Sequence, residues 1–344
     1  MENLTDRTPI QNVSNDLDFG RFKIGTIDIV FAVLYFAIDI IGVTGNALVI
    51  FVVKRNRSMH TTTNFLLVNL AFADIFTLLT CPRNGYWLAV MVNQPVGVAG
   101  DYICKFFTGN ALVGITASVS SLTLTVLAVE RYRALLKPME RKYSVSMENV
   151  KFVMAATWGI SILVNIPDFL KNKYSDYYGK CICPFSLELV QPEFTHVLCT
   201  VLFLGVAPFL ILSFCYIQIV SGLFLTKKIC SEVTGNSSEI EAKKRLARLL
   251  ISVTLAFYVC YISYGTYFLY LLFQDRVIII QKYDIHYIVL KTVEFTLVCS
   301  SCINPILYGF QSSNYREGFK KLCWCYSQRL GNENNQFQMS TVIF

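Results

Sequence analysis

The stretch FTHVLCTVLFLGVAPFLILSFCYIQIVSGLFLT, residues 194–226, contains no Asp, Glu, Lys or Arg. A helix needs about 20 apolar residues to cross the hydrocarbon core of a bilayer, so this stretch reads as a membrane span with length to spare for tilt or helical extension. Residues 249–274 repeat the pattern, again without a charge. Five more apolar blocks lie on either side, and together they predict spans near 25–53, 64–92, 102–130, 152–170, 194–225, 247–273 and 285–310. Composition agrees: 54% of the 344 residues are hydrophobic and 15% charged, against about a quarter charged in a soluble protein. The fold class is an all-α membrane protein. A seven-transmembrane helix bundle occupies 25–310, a polar tail 1–24, and a short amphipathic helix with a cytoplasmic tail 311–344.

Seven spans put the two ends on opposite sides of the membrane, and the excess of Lys and Arg marks the cytoplasmic side. The segments 54–62, 130–151, 226–248 and 310–344 hold 19 of the 30 basic residues and eight of the 23 acids. They net +11 against −4 for the rest, which predicts an outer N-terminus on a multi-pass plasma-membrane protein. The sequons at Asn3 and Asn12 then reach the secretory lumen as glycosylation sites, whereas that at Asn236 is cytoplasmic. The N-terminal stretch shows neither a basic leader nor a cleavage site. Twelve cysteines lie mostly within apolar blocks, which excludes a small disulfide scaffold. Three are expected on the oxidising side, so Cys104 is expected to bridge to Cys181 or Cys183.

Charges inside a membrane are costly and mark function or pairing. They are Asp39 in span one, Asp74 and Arg83 in span two, and Lys291 and Glu294 in span seven, with Asn46 and Ser120 as polar companions. In span seven Lys291, Glu294, Ser301, Asn304 and Tyr308 recur at steps of three, four or seven, one inward helical face. Pro305 cannot donate a backbone hydrogen bond, so it frees a carbonyl that a polar neighbour or water must satisfy. At the inner mouths stand the basic run EAKKRLARLL (241–250) and SSNYREGFKKLCWC (312–325). The second reads as an interfacial helix, Phe319 and Leu322 apolar, Arg316, Lys320 and Lys321 basic, set to meet membrane lipids.

Gly45–Asn46, NLAFAD ending at Asp74, Cys104, ERYRALLKP (130–138), Trp158, Pro208, Tyr216, FYVCY (257–261) and NPILY (304–308) occur in this order on the seven spans. With them the sequence resembles the rhodopsin-like, or class A, G-protein-coupled receptors over nearly its whole length. The resemblance implies that Glu130 holds Arg131 at the inner end of span three until span six swings outward and a heterotrimeric G protein enters. It gives Tyr132, Met139, Tyr216, Tyr261, Asn304, Pro305 and Tyr308 to that coupling and activation machinery. It further implies a sodium ion at Asp74, Ser120, Ser301 and Asn304, palmitate on Cys323 and Cys325, and arrestin among the partners. No other cofactor, no enzymatic activity and no nucleic acid are expected.

The opsin lysine would fall on Val298 and the amine-receptor aspartate on Val113, so neither of those ligand classes has its defining residue. The expected ligand site is the outer mouth, with Arg83, Asn84, Tyr86, Trp87, Asn110, Asp168, Tyr264, Tyr267, Phe268, Lys291 and Glu294. Both charge signs together with aromatics suit a peptide. A lipid or small metabolite is the alternative within the class. The bland alternative pairs Lys291 with Glu294, and Arg83 with Asp168, without ligand contact. From another class, a seven-span ion or proton transporter would use Asp39, Asp74 and Glu294 as a relay. His60, His196 and His286 are scattered, with no HExxH or GxSxG.

Three departures from the family pattern matter. Tyr261 and Ser263 stand where most members have tryptophan and proline, which predicts a span six without its usual kink. Cys104 lies 27 residues before Arg131, about two more than the family spacing, so span three is expected to begin with a bulge or looser turn. Lys243 replaces the acid that would restrain Arg131 from span six, which predicts raised basal activity. The end STVIF (340–344) offers apolar residues for strand addition to a PDZ domain.

Overall fold

The structure, a computed structural model, describes residues 24–81, 94–137, 145–175, 180–182, 194–222 and 237–322. Among the described residues, seven helices are long and apolar enough to cross a membrane. Span one is Thr26–Arg55, span two Thr62–Thr80, span four Val150–Lys171 and span seven Tyr283–Gln311. Span six runs without interruption from Ser237 to Phe273. Ser263, in place of a proline, keeps its backbone N–H available to the helical ladder.

Spans three and five are interrupted where their sequences demand it. Span three opens with Gly97–Ile103, widens into a π-helical turn at Cys104–Thr108, and resumes at Ala111–Leu136. The two extra residues between Cys104 and Arg131 are absorbed there, as the spacing predicts. Span five comprises Phe194–Thr200, a π-helical stretch Val201–Val206, and Ala207–Val220. Pro208 has no N–H for the carbonyl of Leu204, four residues back. That oxygen instead accepts the Ser121 hydroxyl of span three at 3.1 Å.

Pro305 works the same way in span seven. The carbonyl it frees is that of Ser301, which accepts the Asn46 side-chain amide at 2.8 Å, and the same amide donates to Gly42 at 2.9 Å. A Cβ on Gly45 would stand 2.8 Å from the Pro305 ring. Glycine is needed for spans one and seven to meet at the kink.

The core is thickest in the inner half, where Leu66, Leu70, Leu124, Leu127, Leu250 and Val253 are all buried together. Burying such side chains is worth about 1.5–3 kcal/mol each against water. Outward faces carry bare Phe36, Leu163, Phe203 and Ile217, exposed by 64%, 66%, 69% and 66%. Apolar surface on this scale belongs against lipid. After span seven a helix at 313–322 folds back so that Tyr315 is buried and stacks on Tyr308 at 5.2 Å.

Candidate functional site

At the outer end, strand β1 (Lys173–Ser175) pairs antiparallel with β2 (Lys180–Ile182), Tyr174 opposite Cys181. A disulfide joins Cys181 to Cys104, with the Cα atoms 5.2 Å apart. The Tyr174 N–H donates to the Asp101 carboxylate at 2.8 Å. The hairpin is thus fastened twice to the head of span three. Of the two pairings open in the sequence, Cys181 is the one formed; Cys183 lies outside the described residues.

Next to this hairpin the bundle encloses a cavity of about 330 Å³. Asn110, Asp168, Tyr261, Tyr264, Phe268 and Glu294 line it, which brings together the predicted ligand residues of spans three, four, six and seven. Tyr267 is buried beside them, its hydroxyl donating to the His286 carbonyl at 2.9 Å. Tyr261 stacks on Phe257 with ring centres 3.9 Å apart, which connects the cavity floor to the inner core. Arg83, Asn84, Tyr86 and Trp87 lie outside the described residues.

Lys291 is placed beside the cavity rather than in its lining, and it is buried. Its ammonium is in an ion pair with Asp28 of span one and stands 5.1 Å over the Tyr287 ring. The Tyr287 hydroxyl donates to the same carboxylate at 2.6 Å, and the Gly25 N–H does so at 2.9 Å. Through this pair Lys291 clamps span seven to span one.

At mid-depth Asp74 accepts the Asn304 amide at 2.7 Å, and Ser301 is buried on the same face of span seven as Asn304. Ser120 is also buried. Spans two, three and four are joined by Asn69, which donates to Thr123 at 2.8 Å and accepts from the Trp158 indole at 3.0 Å.

At the inner end Arg131 makes a bidentate pair with Glu130, Nε to Oε2 at 2.5 Å and Nη2 to Oε1 at 2.6 Å. Both sit near the C-terminal end of span three, Glu130 buried and the Arg131 side chain 18% exposed. Tyr132 packs against Phe214 of span five. Tyr216 holds span six through Thr254 (3.0 Å) and the Leu250 carbonyl (3.4 Å). The buried Tyr308 hydroxyl has no hydrogen-bond partner among the described residues. Met139, Cys323, Cys325, Asn3 and Asn12 lie outside the described residues, as does the Lys243 side chain.

The chain matches the family model "7 transmembrane receptor (rhodopsin family)" over residues 45–308. It belongs to that family. Among curated relatives, it is 29% identical over 328 residues to the human neuropeptide Y receptor type 2, covering 90% of this chain and 79% of that one. It is 26% identical over 311 residues to galanin receptor 2b of Danio rerio, with the same coverage. Squid rhodopsin shares the fold, with a TM-score of 0.70 at 20% identity over 89% of this chain and 91% of that one.

The receptor's bundle also shows what sequence reasoning missed. Asp28 reads locally as an acid in the first turn of a helix, where it favours the N-terminal dipole. Nothing within span one announces its partner, 263 positions away. Asn165 was equally silent. It is buried and joins span four to Ser118 of span three at 3.0 Å, and both residues line the cavity.

Proposed function

We propose that this protein is a cell-surface receptor for an extracellular peptide and that it activates heterotrimeric G proteins. One observation carries the reading: span three has a ligand-sized cavity at one end and the Glu130–Arg131 pair at the other. Small-ligand sites are typically concave and about 300–1,000 Å³, so this cavity suits the tip of a peptide whose remainder rests on the hairpin and outer loops. The relatives named above are receptors for peptides by name, which supports the ligand class over a lipid or metabolite. The lysine and arginine excess supports an outer N-terminus and a cytoplasmic Arg131.

Activation follows from what holds Arg131 and span six. Binding in the cavity bears on Tyr261, which is stacked on Phe257. Span six, a single rod, then carries the displacement to its inner end. Outward movement breaks the Tyr216 contacts with Thr254 and Leu250. It frees Tyr216 and the unbonded Tyr308 hydroxyl to face Arg131, which leaves Glu130 and forms the floor for the G protein's helix.

Asp74 is joined to Asn304, and with the buried Ser120 and Ser301 the carboxylate, hydroxyl and amide oxygens of these residues are the donor types that suit a hard cation. Sodium bound there would neutralise Asp74 and hold spans two and seven as they are. Replacing potassium by sodium is expected to lower ligand-free G-protein exchange, an effect that Asp74→Asn removes. Glycans at Asn3 and Asn12, palmitate at Cys323 and Cys325, arrestin and a PDZ domain complete the expected partners. Treating cell-expressed protein with glycosidase, acyl-exchange chemistry and tail-peptide pull-down checks each in turn.

The receptor reading is tested by applying peptide pools to cells that report G-protein dissociation. Wild type should respond to at least one pool and Arg131→Ala to none, at equal surface expression. An equal response from Arg131→Ala sinks the assigned mechanism.

A further inference from the structure

The cavity is not walled off from the lipid. On its outer half span six turns a stripe of exposed residues outward at helical spacing, Val259, Ile262, Thr266, Tyr270 and Phe273. Ile262 and Thr266 belong to this stripe and also line the cavity. On span five Val206, Leu210, Phe214 and Ile217 form the matching exposed stripe. Val206 lines the cavity too, as does the exposed Phe209. A residue can face both lipid and cavity only where the two meet, so the cavity opens sideways between spans five and six.

Two glycines mark the same seam independently. Gly205 of span five and Gly265 of span six both line the cavity, and a Cβ on either would have no atom within 4 Å. At about 1.5 Å per residue, Thr266 and Ile262 lie about 10 and 16 Å below Phe273, the outer end of span six. That is the depth of the outer leaflet in a hydrocarbon core about 30 Å thick. Thr266 donates its hydroxyl to the Ile262 carbonyl at 2.7 Å, so the opening offers a ligand only apolar surface.

The other end of the cavity is polar and unmet. Asn172, immediately after span four, also lines it. Its backbone is fixed, the N–H donating to the Asp168 carbonyl at 2.9 Å. Its side chain lies against Gly109, where a Cβ would come within 2.3 Å of the amide nitrogen. Asn172 is 1% exposed, yet neither its side-chain nitrogen nor its oxygen has a hydrogen-bond partner among the described residues. A buried donor or acceptor left unsatisfied costs about 1–3 kcal/mol. Another carboxamide brings both an acceptor and a donor, whereas a carboxylate brings no donor.

We propose that the cavity binds a membrane-borne single-chain lipid with an uncharged amide head, a fatty-acid amide. Its head pairs with Asn172, and its chain passes out between spans five and six into the bilayer. The opening is continuous with the lipid-facing surface, so the chain enters from hydrocarbon and never crosses water. A chain that moves from lipid into such a seam exchanges one apolar surrounding for another, and the amide on Asn172 therefore decides which lipid is held. This ligand lies beyond the peptide reading and does not depend on G-protein coupling.

The test titrates radiolabelled oleamide onto purified full-length receptor in phosphatidylcholine nanodiscs, with empty nanodiscs as the blank. Binding above the blank should saturate. Oleate and methyl oleate keep the chain and lack the amide N–H, and each should compete about tenfold more weakly, the loss of roughly one good interaction. Butyramide keeps the head without the chain and should not compete. Asn172→Ala should bring oleamide and methyl oleate to equal affinity. Gly205→Leu and Gly265→Leu fill open space in the seam, and each should weaken oleamide about tenfold. Thermal unfolding without added lipid verifies that each variant is folded, and the comparison of probes on wild type decides the case without any variant. No saturable binding, equal competition by methyl oleate, competition by butyramide, or unchanged binding in both filled variants overturns the assignment. G-protein dissociation with peptide pools reads the receptor function separately, so either result can fail without the other.

Discussion

Lys291 shows how one side chain can be legible in place and illegible in purpose. Its position on the inward face of span seven follows from the spacing of Glu294, Ser301, Asn304 and Tyr308, all of which are buried. Its partner does not follow, because Asp28 lies at the far end of the chain and obeys only its own helix's local rules. The pair is 2% and 4% exposed. Removing one member of a buried pair strands the other charge at a cost of about 3–5 kcal/mol, whereas replacing both can be nearly neutral. Lys291→Met or Asp28→Asn alone should therefore lower the thermal stability of purified receptor sharply. The double variant should recover most of the loss. A double variant as unstable as the sum of the two singles would show that the residues act independently. The freed Ser301 carbonyl makes the opposite case. Pro305 predicts it from sequence, and Asn46 meets the need, though only the folded packing of spans one and seven reveals which polar residue does so.

At the scale of elements, span six is the part that must move, and its departures from the family pattern were readable. Ser263 in place of proline removes the usual cause of a kink, and span six is one helix over Ser237–Phe273. The extra spacing after Cys104 predicts a disturbed start to span three, and the π-helical turn at Cys104–Thr108 supplies it. What the sequence could not show is how span six is held at its inner end. Gln311, at the end of span seven, donates to Ser252 at 3.1 Å, and Tyr216 binds Thr254 from the span-five side. Each is a neutral hydrogen bond worth about 1 kcal/mol net. Together they restrain outward motion where Lys243 offers Arg131 no acid. Gln311→Ala should raise ligand-free nucleotide exchange about fivefold, the equivalent of that one bond. Lys243→Glu should lower basal exchange by introducing the missing restraint. Unchanged exchange in both variants, at equal expression, would mean that neither contact holds span six.

Over the whole molecule, the cavity and the Glu130–Arg131 pair lie at opposite ends of one span, so they can communicate only through a shared change of state. Fold class, topology and the inner motif are visible in sequence because each is written in runs or fixed spacings: the uncharged stretch 194–226, the basic inner loops, ERY beside NPILY. The cross-span pairings are not, since Lys291 turns to Asp28 at the far end of the chain and Asn165 reaches Ser118 where only glycine at 114 leaves room for it. Thermodynamic linkage then makes a strict demand: if a ligand favours the state that binds G protein, G protein must tighten that ligand by the same factor. Typical coupling of 1–3 kcal/mol corresponds to about 5–150-fold. Nucleotide-free G protein should therefore raise the affinity of an activating ligand within that range, and the ligand should raise G-protein affinity equally. Arg131→Ala should reduce both factors toward unity while leaving ligand affinity without G protein intact, because Arg131 lies outside the cavity. Tyr261→Ala, which breaks the stack on Phe257, should shrink the coupling and also weaken the ligand. Measuring both affinities with and without the other partner checks this. Factors that differ between the two directions would mean that the ligand and the G protein do not bias one common equilibrium.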